Sequence, residues 1–276
     1  MEVGDHWELE FGFWKVQVDA QRGARICSFS LDGANVLVGP EVDPNNFGST
    51  FWTSPQSAWG WPPVPEIDHR PYAVVESDSG LVCCGSLASQ LGVLVTKRFN
   101  VVVGRNCLRV QYEVCNQTSE TLRLAPWEVS RVRGGLTFFP LGDGHWKGEQ
   151  VACPEVLDAA GATWFEYDRG SITCDQKLFA HANEGWLAHV EQGLAFIKQF
   201  DPVPADKQAP GEAMIEVFAS GERPYVELEQ QGAYAKLGPW KSSTWTVHWL
   251  LRRLPPGLTV RAGNVELVDW VREQLG

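Results

Sequence analysis

The chain has 276 residues, a formal charge of −11 and a pI near 5.0. That acidity argues against nucleic acid as a partner, because no basic run offers phosphate an electrostatic footprint. The apolar runs fall far short of a membrane span, so no membrane association is expected either. A single β domain of this length buries a core without a disulfide or metal staple, and residues 1–276 are read as one such domain.

The N-terminus, Met1-Glu2-Val3-Gly4-Asp5-His6, has no basic region followed by an apolar stretch. A cytoplasmic location is therefore expected, a leader already removed aside. Next come strand-like runs over Phe13–Val18 and Ala24–Leu31, the second closed by the turn Leu31-Asp32-Gly33-Ala34-Asn35. The segment Phe51–Tyr72 then carries three of the thirteen Trp and five of the seventeen Pro. That proline density argues against helix and central strand alike, and the aromatic content argues against a disordered linker. The expectation is an ordered loop that presents indole faces, with Glu66, Asp68, His69 and Arg70 at its far end. Aromatic platforms beside a few charged groups suit a sugar, whose C–H faces stack while its hydroxyls need polar partners. The plainer reading is that these rings plug the end of a β core.

Further strand-like runs follow over Leu81–Leu87, Gly92–Val103, Cys107–Cys115, Thr121–Val129, Leu136–Pro140 and Thr163–Tyr167. Others cover Gly185–Glu191, Leu194–Phe200, Ala213–Ala219, Tyr225–Gln230, Ala233–Leu237 and Thr244–Leu251. Alternation is clearest at Leu108–Val114 and Trp245–Trp249. The one helix expected is the amphipathic tail, Gly263–Leu275. More than a dozen strands with one terminal helix point to an all-β protein, a large antiparallel sandwich. The seven cysteines are odd in number and without C-x-x-C spacing. They read as reduced thiols, most of them buried in strands.

Several stretches resemble, in order, the landmarks of the galactose mutarotase-like superfamily, which includes aldose 1-epimerases. Gly23-Ala24-Arg25-Ile26 through Leu31-Asp32-Gly33 to Val36-Leu37 resembles its opening hairpin, and Leu108–Thr118 its alternating strand that ends in Asn before a turn. Leu228-Glu229-Gln230-Gln231 resembles the strand that carries the catalytic glutamate, and Gly238-Pro239-Trp240-Lys241 through Trp249 the closing strand. With Trp52–Gln56 and Pro126–Arg131 added, the pattern looks most like a mutarotase-like family known by a domain-of-unknown-function label (DUF4380). The resemblance implies a β super-sandwich, a sugar ligand and no cofactor.

Mutarotation needs a base at the anomeric hydroxyl and an acid at the ring oxygen. In the superfamily a Glu and a His take these roles, and Glu229 matches the Glu. On a period-2 strand Glu227 and Glu229 share a face, so both line one concave sheet or both are solvated on it. Where the superfamily has its His, this chain has Ala125-Pro126-Trp127-Glu128-Val129-Ser130-Arg131. The acid is therefore sought at His69, with His145 and Glu128 as the other candidates. A sugar site is expected to draw on Trp52, Gln56, Trp59, Trp61, Glu66, Arg70, Glu128 and Arg131. The charges Glu128, Arg131 and Arg133 form either a buried network or a polar site floor, and the arginines would favour a carboxylate-bearing sugar. No Asp/Asn-rich loop has calcium-site spacing, so no metal is expected. Three functions stay open: an aldose 1-epimerase-like isomerase, a non-catalytic carbohydrate-binding or sensing protein, and a protein-interaction module. The sugar's identity and the oligomeric state are not legible.

Overall fold

The computed structural model describes residues 2–3, 6–77, 80–147 and 151–276. Two large antiparallel sheets face each other, twelve-stranded and ten-stranded among the described residues. The larger runs through Glu2–Val3, His6–Phe11, Trp14–Asp19, Arg25–Leu31 and Ser49–Ser54, then Leu122–Val132, Val226–Gln231, Ile215–Ala219, Gln176–His181 and Gly144–Lys147. The smaller has Leu194–Phe200, Ser242–Arg253 and Cys107–Asn116 at its centre. Between the sheets lies the aromatic core, where Phe29 meets Phe196 at 5.7 Å and Phe196 meets Trp249 at 4.9 Å. Thus the all-β sandwich expected from the sequence is the fold observed.

The Asp32-Gly33 turn behaves as its residues dictate. Both have positive φ, 51° and 81°, the geometry of a tight hairpin whose twist matches its strands. The tail helix spans Val265–Leu275 and buries Leu267, Val268 and Val271. Asn264 caps it, its side chain accepting from the Glu266 N–H at 3.2 Å. Among the described residues no helix is long and apolar enough to cross a membrane.

The Trp/Pro segment departs from expectation in two places. Ser49–Ser54 is a central strand, paired to Leu122–Val132 from Ser49↔Ser130 through Ser54↔Ala125. The prolines begin only at Pro55, so every N–H of Phe51–Ser54 is available to the ladder. Pro65–Asp68 is a short helix that starts on its own proline, a position where the missing N–H costs nothing. Cysteine burial also divides: Cys83 and Cys107 are buried as expected, whereas Cys153 and Cys174 are exposed.

Directly opposed residues of an antiparallel pair lie on the same side of the sheet. The pairs Trp127↔Gln231, Val129↔Glu229 and Arg131↔Glu227 therefore share one face. Glu128↔Gln230 and Ser130↔Leu228 share the other, which looks into the sandwich. Adjoining ladders place Thr50, Trp52, Glu216, Phe218, Lys177 and Phe179 on the first face. A single rule of alternation thus collects a polar floor on one side and a second set of charges within the core.

Candidate functional site

The first face is hollowed into a cleft of about 590 Å³. Trp52, Gln56, Trp61 and Trp127 form an indole-rich wall, Lys177, Phe218, Glu227 and Glu229 the floor, and Asp43, Asn45, Asn46, Arg223 and Tyr225 a polar rim. The rim loop is pinned from beneath by Arg25, which is 2 % exposed and donates from Nη1 to the carbonyls of Asn45 at 2.7 Å and Phe47 at 3.3 Å. Its Nη2 reaches Asp68 Oδ2 at 3.3 Å. Asp68 Oδ1 in turn accepts from the Trp52 indole at 2.8 Å, so one buried carboxylate ties the short helix to the indole wall and, through Arg25, to the rim loop. Gly23 makes that approach feasible: a Cβ there would stand 2.0 Å from the Asp68 carbonyl oxygen.

The indoles pack edge to face. Trp52 lies 5.2 Å from Trp127 and 6.0 Å from Trp61, at interplanar angles of 82° and 86°. Trp61 is 61 % exposed, so its ring is presented to whatever enters.

Glu229 is fully buried at the floor. Its Oε2 accepts from the Trp127 indole at 3.0 Å and from Lys177 Nζ at 3.1 Å. Its Oε1 has no hydrogen-bond donor. Lys177 also meets Glu216 at 2.6 Å and sits 5.1 Å from the Trp127 ring centroid. Two buried carboxylates therefore share one ammonium. Burial raises the proton affinity of Glu229 and of Glu216; Lys177 opposes the rise, and the mutual repulsion of the carboxylates adds to it. Burial works against the charge of Lys177, but Glu216 and Glu229 outweigh it and hold the proton more tightly than usual. The pair thus titrates above the ordinary carboxyl range, as one unit.

A pH effect on stability follows. A carboxyl that binds its proton more tightly folded than unfolded stabilises the fold below its unfolded value and loses that contribution as pH rises. Between the ordinary 4.5 and about 8, the value to which Glu229 is pushed, stability is expected to fall. Chemical denaturation at pH 5.5 and pH 8 checks it, and Glu229→Gln should flatten the difference. A stability that climbs over this range in the unaltered protein would contradict the assignment.

The structure brings together Trp52, Gln56, Trp61 and Glu229 of the residues expected from sequence, and sets the others elsewhere. Trp59 is 9 % exposed and packs behind Trp52, its indole donating to the Thr53 carbonyl at 2.7 Å, so it supports the wall and does not line the cleft. Glu66, His69 and Arg70 do not line it either. The helix turns Asp68 inward and leaves His69 more than half exposed, 3.6 Å from Asp68, while Arg70 pairs with Glu66 at 3.5 Å. His145 pairs with Asp158 at 3.1 Å, likewise outside the cleft. Glu128 is on the core face, as alternation requires. It accepts from Tyr112 at 2.6 Å, from Trp249 at 3.0 Å and from Gln230, and pairs with Lys198 at 2.9 Å.

Arg131 lies under the cleft wall. Its guanidinium is 5.3 Å from the Trp52 ring centroid, donates to Glu227 at 2.8 Å and is fully buried. Arg133 pairs with Glu41 at the surface. Arg131 gives Nε to Glu227 and Nη1 to Thr50 while its buried Nη2 has no acceptor, and neither Arg131 nor Arg133 is among the residues that line the cleft.

Sequence reasoning missed Lys177 and Glu216. Gln176–His181 follows a turn and has weak alternation, so it did not read as a strand. Glu216 had a signal: a lone acid in the apolar run Ile215-Glu216-Val217-Phe218 needs a buried partner.

Among solved structures the fold is that of galactose mutarotase-like proteins. A galactose mutarotase-like protein from Lactobacillus casei superposes with a TM-score of 0.63 at 13% identity, covering 90% of this chain and 100% of that one. A galactose mutarotase related enzyme from Lactobacillus acidophilus gives 0.62 at 9%, with 92% and 99% covered. A protein described as a candidate aldose 1-epimerase from Escherichia coli K12 gives 0.60 at 17%, with 90% and 99% covered. No family model matches the chain, and no curated protein does.

Proposed function

We propose that the protein binds a monosaccharide, or the end of an oligosaccharide, in this cleft and interconverts its anomers with Glu229 as general base. The observation that carries the reading is the Glu229 carboxylate: one oxygen held by Trp127 and Lys177, the other without a donor at the floor of an indole-walled cleft. A base whose proton affinity lies near neutrality is matched to proton transfer at neutral pH. Glu229 takes the proton from the anomeric hydroxyl, the bond from C1 to the ring oxygen breaks as the carbonyl forms, and the ring oxygen gains a proton. Closure on the other face of C1 reverses these steps. Lys177 hydrogen-bonds the ring oxygen as charge grows there, and water supplies the proton, since Lys177 itself holds its own tightly.

A second reading, a sugar-binding protein without catalysis, is favoured by one specific observation. No imidazole is among the described residues that line the cleft. Proton NMR exchange spectroscopy on an aldose that binds separates the two readings. Anomer exchange above the buffer rate supports the isomerase; binding at the buffer rate leaves the binding protein. Trp61→Ala removes the exposed platform and is expected to weaken binding roughly tenfold by fluorescence titration. An unchanged affinity would place the sugar elsewhere.

A further inference from the structure

The charges of the cleft are unequal. Among the described residues five carboxyl groups line it, Asp43, Asp175, Glu222, Glu227 and Glu229, against the two cations Lys177 and Arg223. The groups just behind the lining do not redress this. Arg131 is matched by Glu227 at 2.8 Å, and Glu216 draws on Lys177 at 2.6 Å. Lys177 alone therefore serves two buried carboxyl groups, whose negative charge develops fully only as pH rises towards 8, while Asp43, Asp175 and Glu222 keep the cleft acidic below that.

A second, independent observation lies at the centre of that excess. Glu229, fully buried, has an oxygen with no donor. A buried acceptor left unpaired costs about 1–3 kcal/mol, more when charged, and a ligand that brings a charged N–H donor recovers it. The walls suit the same ligand. The exposed ring of Trp61 stands beside the acidic floor. An ammonium is attracted by indole faces as well as by carboxylates.

We infer that the cleft selects a sugar carrying a free amino group, protonated at neutral pH, over neutral sugars, and that it discriminates against phosphorylated sugars and uronates. This inference rests on the sugar-binding reading above and adds the charge of the ligand. The amine sits between the Glu229–Glu227 floor and the indole wall, and the hydroxyls reach Gln56, Asn45 and Asn46. A cleft of one sign with low-dielectric walls concentrates ligands of the opposite sign and repels its own.

Affinities for glucosamine, galactosamine and mannosamine are measured by calorimetry at pH 7.5 in low salt, each beside its parent hexose and its N-acetyl derivative. Glucuronate and glucose 6-phosphate complete the set. At least one free amino sugar is expected to bind about tenfold or more tightly than its parent hexose. The gain should vanish on N-acetylation and shrink as salt screens the charge. The two anionic sugars should bind more weakly than glucose. Glu227→Gln and Glu229→Gln should each cut the preference, and the N-acetyl comparison stands on the unaltered protein should either variant fail to fold. Parent hexoses binding as tightly as every amino sugar would overturn this inference and leave the sugar cleft in place. Absence of binding by any sugar would overturn both.

Discussion

Replacement of Glu229 by glutamine is expected to lower catalysed anomer exchange by roughly 10²–10⁴-fold, the usual worth of a general base, while sugar binding persists. Glutamine keeps the length of the side chain and a carbonyl oxygen for the Trp127 indole. Lys177 keeps its contact with Glu216 at 2.6 Å, so the variant strands no buried cation. The loss should fall on turnover and not on the Michaelis constant, because the proton is taken only as the ring opens. Polarimetry or exchange NMR on the variant and the parent decides it. A variant with full activity removes Glu229 as the base; a parallel loss of binding assigns it to holding the ligand instead.

The second large effect concerns the other face of the same strands. Lys198 and Glu128 are both completely buried and lie 2.9 Å apart. Lys198 also donates to Ser130 Oγ at 2.6 Å and to Gln230 at 3.1 Å, and Ser130 in turn donates to Ser49 at 2.6 Å. Burial lowers the proton affinity of Lys198 and Glu128 opposes that, so the ammonium depends on its partner. Lys198→Met leaves the Glu128 carboxylate inside the core with neutral donors only. It is expected to destabilise the fold by ~3–5 kcal/mol, measured by denaturant titration. The double variant Lys198→Met/Glu128→Gln should recover part of that loss, because no uncompensated charge remains. A single variant as stable as the parent would show that the pair carries little of the fold's stability.

Much of the sandwich was legible because alternation is a local signal. The strands at Leu136–Pro140 and Leu194–Phe200 have the bounds expected from the sequence, and Glu227 and Glu229 share a face as a period of two requires. Alternation also places Glu128 opposite to Trp127 and Arg131. Assigning both Glu128 and Arg131 to one site overlooked that residues an odd number of positions apart on a strand point to opposite faces. The strand Ser49–Ser54 was hidden by composition: its six residues are all buried, and its aromatic character merged with the proline-rich stretch that follows. What composition could not reveal was partnership. Lys177 reaches Glu229 from a strand 52 positions away, and only the strand order brings the two together. The choice among His69, Glu66 and Arg70 likewise depended on which way a single helical turn faces.

One pair of strands, Leu122–Val132 and Val226–Gln231, carries the cleft floor on one side and the core charges on the other. This restricts how the sequence can change. Substitution at Trp127, Glu227 or Glu229 changes the cleft lining and leaves the Glu128–Lys198 contact itself in place. Insertion or deletion of one residue in either strand does something different. It turns every side chain beyond it through the sheet, moving cleft acids into the core and core charges into the cleft. Ligand preference in this lineage is thus free to drift by point replacement, while changes of length are confined to the rim loops around Asp43 and Trp61. A comparison of relatives should find their gaps in those loops and none within the two strands.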